Sequence, residues 1–130
     1  MTRSARALVA SADQLIAPPP GATPPLTPGL RARAAAALLQ QALDEAMDDF
    51  WRGVSPGMVH AAPRTKALCL DRYVSPSPAR QWYAVRSALS AACHHHTYEL
   101  PPTPAEVKAW HAAVTDLLQA MPSGTSPTGP

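Results

Sequence analysis

Residues 27–52 read TPGLRARAAAALLQQALDEAMDDFWR, and this stretch predicts one long amphipathic helix. Thr27 is a favourable N-cap, and Pro28 loses no hydrogen bond because the first amide groups of a helix have no partner within it. Apolar side chains then recur every three or four residues, which is the spacing of one helix face. We expect the helix to end near Arg52, because Gly53 and the Ser-Pro-Gly sequence after it are typical of a turn. The apolar stripe contains Leu39, Leu43, Ala46, Met47 and Phe50.

The same hydroxyl-proline start occurs at two later points of the chain. Thr103 and Pro104 are followed by Glu106, and this spacing predicts a capping box, in which the threonine and glutamate side chains each accept a hydrogen bond from the other residue's amide. Ser77 and Pro78 predict the start of another helix by the same reasoning. The predicted helices cover residues 4–17, 28–52, 64–74, 78–99 and 104–121, with a loop over 53–63. Residues 64–74 are compatible with a short helix or a strand, and we predict a helix because no second strand candidate exists to pair with them.

The composition favours a helical fold of one domain. The chain has 130 residues, of which 26 are alanine, while β-branched and aromatic residues are few. We therefore predict an all-α fold, an antiparallel four- to five-helix bundle over residues 28–121. A proline-rich linker over 18–27 joins it to an N-terminal helix over 1–17, and residues 122–130 are predicted to be a disordered tail. The predicted core consists of Leu39, Leu43, Met47, Phe50, Leu68, Trp82, Val85, Leu89, Val107, Trp110, Val114, Leu117 and Leu118.

Charge and hydropathy exclude several classes of protein. The net charge is +2 and charged residues make up 15% of the chain, which excludes a polyanion binder that works by charge alone. No apolar run approaches the roughly 20 residues of a membrane span, so no membrane partner is expected. Two cysteines do not make a disulfide framework, and no signal-peptide pattern is present, so we expect a cytoplasmic protein with reduced thiols. No glycine-rich phosphate loop occurs, and no cofactor is predicted.

The segment CHHHTYEL, which begins at Cys93, is the most unusual in the chain. Three adjacent histidines suggest a metal site, but consecutive helical residues point about 100° apart, so His94, His95 and His96 cannot close around one ion. Cys93 and His96 share a helix face, and a zinc ion held there would need two more ligands from elsewhere in the chain. A zinc-stabilised regulator is one alternative. We expect Cys93 and Cys69 to be small buried apolar residues rather than nucleophiles.

Four acidic residues cluster in the long helix, and they are Asp44, Glu45, Asp48 and Asp49. We interpret them as a solvated acidic face that could dock against arginines of a partner. Asp48 is expected to pair with Arg52, because side chains four residues apart are neighbours on a helix.

The polar face of the helix that starts at Pro78 combines arginine, histidine and hydroxyl groups. Histidine moves protons near neutral pH and arginine stabilises the charge of a phosphorane, so the two together suffice for metal-free RNA cleavage. An ordinary solvated helix face is the alternative interpretation. The residues of this surface are Arg80, Tyr83, Arg86, Ser87, Ser90, His94 and His95.

The helix order, the Ala-rich helix over 30–43 and the junction CHHHTYELPPTPAEV are similar to those of HEPN-type domains, over roughly residues 28–121. Proteins of that family are often toxins or defence-associated ribonucleases that act as dimers through an Arg-x4–6-His motif, and others are inactive binding modules. The resemblance implies Arg86, His94 and His95 as catalytic residues. Seven residues separate Arg86 from His94 here, so the spacing departs from the motif. The expected binding residues are Arg80, Tyr83, His96 and Tyr98.

These patterns favour a non-enzymatic helical module that binds a protein partner or a second copy of itself. A small Ala-rich bundle with three tryptophans could cover all of its apolar surface only in an assembly. A metal-independent ribonuclease of the HEPN-like kind, with RNA as its partner, is the first alternative. The zinc-stabilised regulator is the second.

Overall fold

The computed structural model describes residues 3–21, 27–74, 76–94 and 100–121. Within these ranges every regular element is helical, so the predicted all-α bundle is confirmed. The predicted tail over 122–130 and part of the predicted linker, 22–26, lie outside the described residues. The α-helices of the described residues are α1 (Arg3–Ile16), α2 (Pro28–Val54), α3 (Pro63–Leu70), α4 (Pro76–Cys93) and α5 (Pro104–Ala120), with a short 3₁₀ helix, Pro56–His60, between α2 and α3.

Two of the three predicted helix starts, those at Thr27 and Thr103, are confirmed. The Thr27 hydroxyl accepts a hydrogen bond from the Leu30 amide at 3.3 Å. At α5 the full capping box is present, with the Glu106 amide 3.1 Å from Thr103 Oγ1 and the Thr103 amide 2.9 Å from Glu106 Oε1. The third prediction was wrong, because α4 begins at Pro76 and Ser77 lies inside its first turn. Proline is compatible with either position, so its pattern alone cannot fix the start.

Other boundaries also differ from the prediction, since α2 ends at Val54 instead of Arg52 and α3 ends at Leu70 instead of residue 74. The predicted loop over 53–63 contains the 3₁₀ helix, which begins at Pro56. Helix α4 ends at Cys93 instead of Glu99, and residues 95–99 lie outside the described part. Histidine and threonine are weak helix formers, which agrees with a helix end at this point.

Helix α2 is the centre of the bundle, because α1, α4 and α5 all pack against it. The buried side of α2 extends from Ala32 to Trp51 and combines alanines with larger apolar residues. Ala5 and Ala12 of α1 are fully buried in the same core, which is how a short helix that is marginal alone becomes stable. Trp82 of α4 is hydrogen-bonded to α2, because its Nε1 donates to the Leu43 carbonyl oxygen at 3.2 Å.

Ten of the thirteen predicted core residues are buried, and Val85 and Trp110 pack partly buried against them. The prediction was wrong for Leu68, whose side chain is 65% exposed, while Leu70 is completely buried. Residues two apart on a helix point about 200° apart, so α3 buries one leucine and exposes the other. Trp51, outside the predicted core set, is also buried.

Helices α2 and α5 meet closely at one end of the bundle. A Cβ atom built on Gly29, in the first turn of α2, would lie 3.1 Å from Cγ of Pro101. The proline turn before α5 therefore rests directly on the α2 backbone. No helix in the described ranges combines the length and the apolar character needed to cross a membrane.

Candidate interaction surface

Helices α3 and α4 pack side by side and leave an open groove between them, which we name the α3–α4 groove. Ala67 of α3 and Ala79 of α4 are buried and form its floor. Leu68 and Tyr83 stand over this floor from the two helices, with 65% and 38% of their surfaces exposed. The groove encloses about 580 Å³ and is lined by Arg64, Ala67, Leu68, Asp71, Ala79, Arg80, Tyr83 and Ala84.

A second depression of about 530 Å³, here named the polar cleft, adjoins the first. Arg64 and Tyr83 line both, so the two form one continuous surface along α4. The α3–α4 groove has an apolar floor, whereas the polar cleft is lined by hydroxyl, guanidinium and imidazole groups. Its lining comprises Ala62, Pro63, Arg64, Tyr83, Arg86, Ser87, Ser90, Ala91 and His94.

The structure brings together the predicted residues that lie on α4. Arg80 and Tyr83 line the α3–α4 groove, and Tyr83, Arg86 and His94 line the polar cleft. Their common placement follows from helical spacing, because Arg80, Tyr83 and Arg86 recur every three residues and therefore lie close to one side of α4. His95, His96 and Tyr98 lie outside the described residues.

Arg86 is held by an acidic residue of α2. Its Nε donates to Asp44 Oδ1 at 2.7 Å and its Nη2 donates to Asp44 Oδ2 at 3.3 Å, so the contact is bidentate. Such a fork-shaped contact fixes both side chains and neutralises much of the arginine's charge. The two protons on Nη1 and the second proton on Nη2 remain available to donate to another ligand.

The acidic face of α2 is used within the chain, which corrects two predictions. Asp48 binds Lys66 of α3 at 2.6 Å, and the predicted pair with Arg52 does not form. The packing of α3 against the bundle places Lys66 at Asp48 although the two are eighteen residues apart in sequence. Asp44 and Asp48 therefore belong to interhelical ion pairs, and they are not a freely solvated docking face.

Two residues that line these depressions, both on α3, were not predicted from the sequence to be functional. Arg64 lies between the two depressions and Leu68 lines the groove. A signal for Leu68 was available, because a two-turn helix with leucines at 68 and 70 can bury only one of them. Arg64 follows the proline that begins α3, and no local pattern distinguishes it from a solvated arginine.

The two thiols are free and partly buried against the core. Burial raises the pKa of the Cys93 thiol, and the nearby Arg33 guanidinium opposes this effect to a smaller extent. A raised pKa keeps the thiol protonated near neutral pH, which is opposite to the activation of a nucleophile. No three His, Cys, Asp or Glu residues of the described ranges group around a point that could hold a metal ion. The Cys93–His96 zinc hypothesis involves a residue outside those ranges.

Comparisons with protein-family models, with curated proteins and with solved structures find no match for this chain. The functional assignment therefore rests on the two depressions along α4 and on the charges around them.

Proposed function

We propose that this protein is a helical module that binds a protein partner in the α3–α4 groove. The observation that carries the proposal is the exposure of Leu68 and Tyr83 on opposite walls of an apolar floor. An apolar centre with a polar rim is the usual anatomy of a protein interface. Tyrosine and arginine, which both line this groove, are enriched among the interface residues whose truncation removes most of the binding energy.

The proposal includes binding without chemistry and a cytoplasmic location. Both cysteines are free, which suits a reducing compartment. A second copy of the chain is one form that the protein partner could take, since the groove is open from outside. No cofactor is part of the proposal.

A ribonuclease of the HEPN-like kind is the second candidate, because Arg86 and His94 line the same polar cleft. In that case His94 would take the proton of a ribose 2′-hydroxyl, and an arginine would stabilise the phosphorane. Arg86 is engaged by Asp44, whereas Arg64 lines the same cleft and has no ion-pair partner among the described carboxylates, so Arg64 is the freer candidate for this task. The zinc-stabilised regulator remains a prediction.

Site-specific photo-crosslinking in cells tests the binding module. A photoreactive benzoyl-phenylalanine is placed at position 68 or 83 of the full chain, and at Gln119, an exposed position on α5, as the control. We expect protein adducts from positions 68 and 83 and none from position 119. Equal labelling at all three positions, or no protein adduct at 68, would contradict the proposal.

Incubation with RNA in the presence of EDTA tests the second candidate. Cleavage by the parent protein that is lost in a folded His94→Ala variant, and reduced in Arg64→Ala, would establish the ribonuclease. No cleavage at high protein concentration would leave the binding module as the function that the surface supports.

A further inference from the structure

We propose that the ligand of the α3–α4 groove is an amphipathic helix of another protein, with acidic residues beside its apolar stripe. This inference rests on the proposed function and names the chemistry of the partner. Three properties of the surface carry it, namely its length, its floor and its uncompensated positive charge.

The length of the surface matches a short helix. The α3–α4 groove and the polar cleft are continuous through Arg64 and Tyr83, and together they follow α4 from Ala79 to His94. At 1.5 Å per residue this distance is about 22 Å, or roughly four helical turns. A ligand helix of similar length could lie along α4 and touch both depressions.

The secondary structure of the walls favours a helical ligand over an extended one. Both walls are α-helices, whose backbone amide and carbonyl groups already bind one another. An extended peptide on such a surface would leave its own backbone groups without partners, whereas a helix satisfies them internally. Recognition must then occur through side chains at the i, i+3, i+4 and i+7 positions of the ligand.

The floor accepts large apolar side chains from the ligand. It is built from Ala67 and Ala79, and each of these alanines leaves room that a longer side chain would have filled. Leu68 and Tyr83 rise beside this space from the two walls. A leucine, methionine or phenylalanine of the ligand can therefore insert between them and bury its surface against both helices.

The charges around the groove favour an acidic ligand. Neither Arg64 nor Arg80 has an ion-pair partner among the described carboxylates, and Asp71 is the one acidic residue of the lining. The neighbouring cations Lys66 and Arg86 are already neutralised by α2. Two unpaired guanidinium groups at the rim therefore remain for carboxylates of the ligand, to which arginine binds in bidentate geometry.

The alternatives fit these observations less well. RNA binding draws most of its affinity from phosphate contacts, and a chain with a net charge of +2 and an alanine floor offers few of them. A second copy of the chain would have to present an exposed apolar helix face edged by carboxylates, and on α2, which carries four acidic residues, Asp44 and Asp48 are engaged in internal ion pairs. Both alternatives are outcomes of the experiment below.

Selection from a displayed peptide library tests the inference without knowledge of the partner. The library presents helix-forming peptides of about 16 residues, a length that spans the surface, with apolar, acidic, basic and neutral choices at every exposed position. It is selected on the full-length protein and counter-selected on the Leu68→Ser variant. We expect enriched peptides with apolar residues at helical spacing and glutamate or aspartate at the flanks.

Binding of one enriched peptide is then measured by fluorescence anisotropy. We expect the Arg64→Glu/Arg80→Glu variant to bind about tenfold or more weakly, and the affinity to fall as salt rises from about 0.05 to 0.5 M. Matched controls exist elsewhere on the surface. Leu30→Ser changes an exposed leucine outside the groove, Arg6→Glu changes an exposed arginine of α1, and both should leave binding unchanged.

Several results would overturn the inference. These are enrichment of basic or non-helical peptides, no enrichment at all, and equal loss of binding in the control variants. Binding of a fluorescent RNA oligonucleotide that depends on the groove would also overturn it. So would self-association, measured by sedimentation, that the Leu68→Ser substitution abolishes. Crosslinks from position 68 to another protein, together with a failed selection, would reject the acidic helix while the binding module itself stands.

Discussion

Two leucines of α3 should differ sharply in their contribution to stability, although they are two residues apart. Leu70 is completely buried and Leu68 is 65% exposed. The Leu70→Ala substitution leaves a cavity in the core, and such changes cost about 2–5 kcal/mol. Because α3 lies at the edge of the bundle and can relax, we expect about 3 kcal/mol for Leu70→Ala.

The corresponding cost for Leu68→Ala is small. Full burial of a leucine side chain contributes about 1.5–3 kcal/mol, and only about a third of this side chain's surface is covered, so the loss is roughly 0.5–1 kcal/mol. Alanine also has the higher helix propensity, which offsets part of the loss. The two variants should therefore differ by about 2 kcal/mol or more in their free energy of unfolding.

Urea unfolding followed by tryptophan fluorescence measures this difference. Trp51 and Trp82 are both nearly fully buried, so their emission should shift to longer wavelength when the core opens. With a slope of about 1–3 kcal/mol per molar urea, a difference of about 2 kcal/mol places the two midpoints roughly 0.7–2 M apart. A Leu68→Ala variant that loses as much stability as Leu70→Ala would show that Leu68 is covered in solution, and the α3–α4 groove would then not exist.

Three further predictions concern contacts of α4. Trp82→Phe removes the hydrogen bond to the Leu43 carbonyl oxygen and part of a buried ring, and should lower the free energy of unfolding by about 1–2 kcal/mol in the same assay, whereas no change would show that the bond contributes nothing. A double-mutant cycle with Asp44→Ala and Arg86→Ala should give a coupling of about 0.5–1 kcal/mol that shrinks with added salt, and zero coupling at low salt would refute the ion pair. Because burial raises its pKa, Cys93 should react with iodoacetamide more slowly than glutathione near neutral pH and faster as the pH rises, and a rate above that of glutathione would contradict this assignment.

Local features of the chain were predictable because their causes are local. The Thr103–Glu106 capping box depends on four consecutive residues, and it forms as predicted. The apolar stripe of α2 depends on helical spacing alone, and Leu39, Leu43 and Met47 are all buried. The fold class follows from several such segments, and residues 64–74, which were compatible with a strand, had no second strand candidate to pair with.

The errors arose where the outcome depends on packing between distant segments. Asp48 had a plausible partner four residues away, but its partner is Lys66, brought to it by the packing of α3. Periodicity over a helix as short as α3 cannot show which side faces the bundle, and this is why Leu68 was placed in the core. Four of the seven predicted site residues, three on α4 and His94 directly after it, share one surface, but its other wall could not be located from the sequence.

The two ion pairs of α2 have a mechanical consequence. Asp44 and Asp48 lie one turn apart on α2, and they bind Arg86 of α4 and Lys66 of α3. Each wall of the groove is thus joined by an ion pair to the same helix behind it, so α2 contributes, beside the direct packing of α3 on α4, to the distance between the walls. Screening or removing these ion pairs should leave the alanine-rich core folded but let the walls spread. The width of the opening, and with it the size of the side chain that fits, would then change with ionic strength.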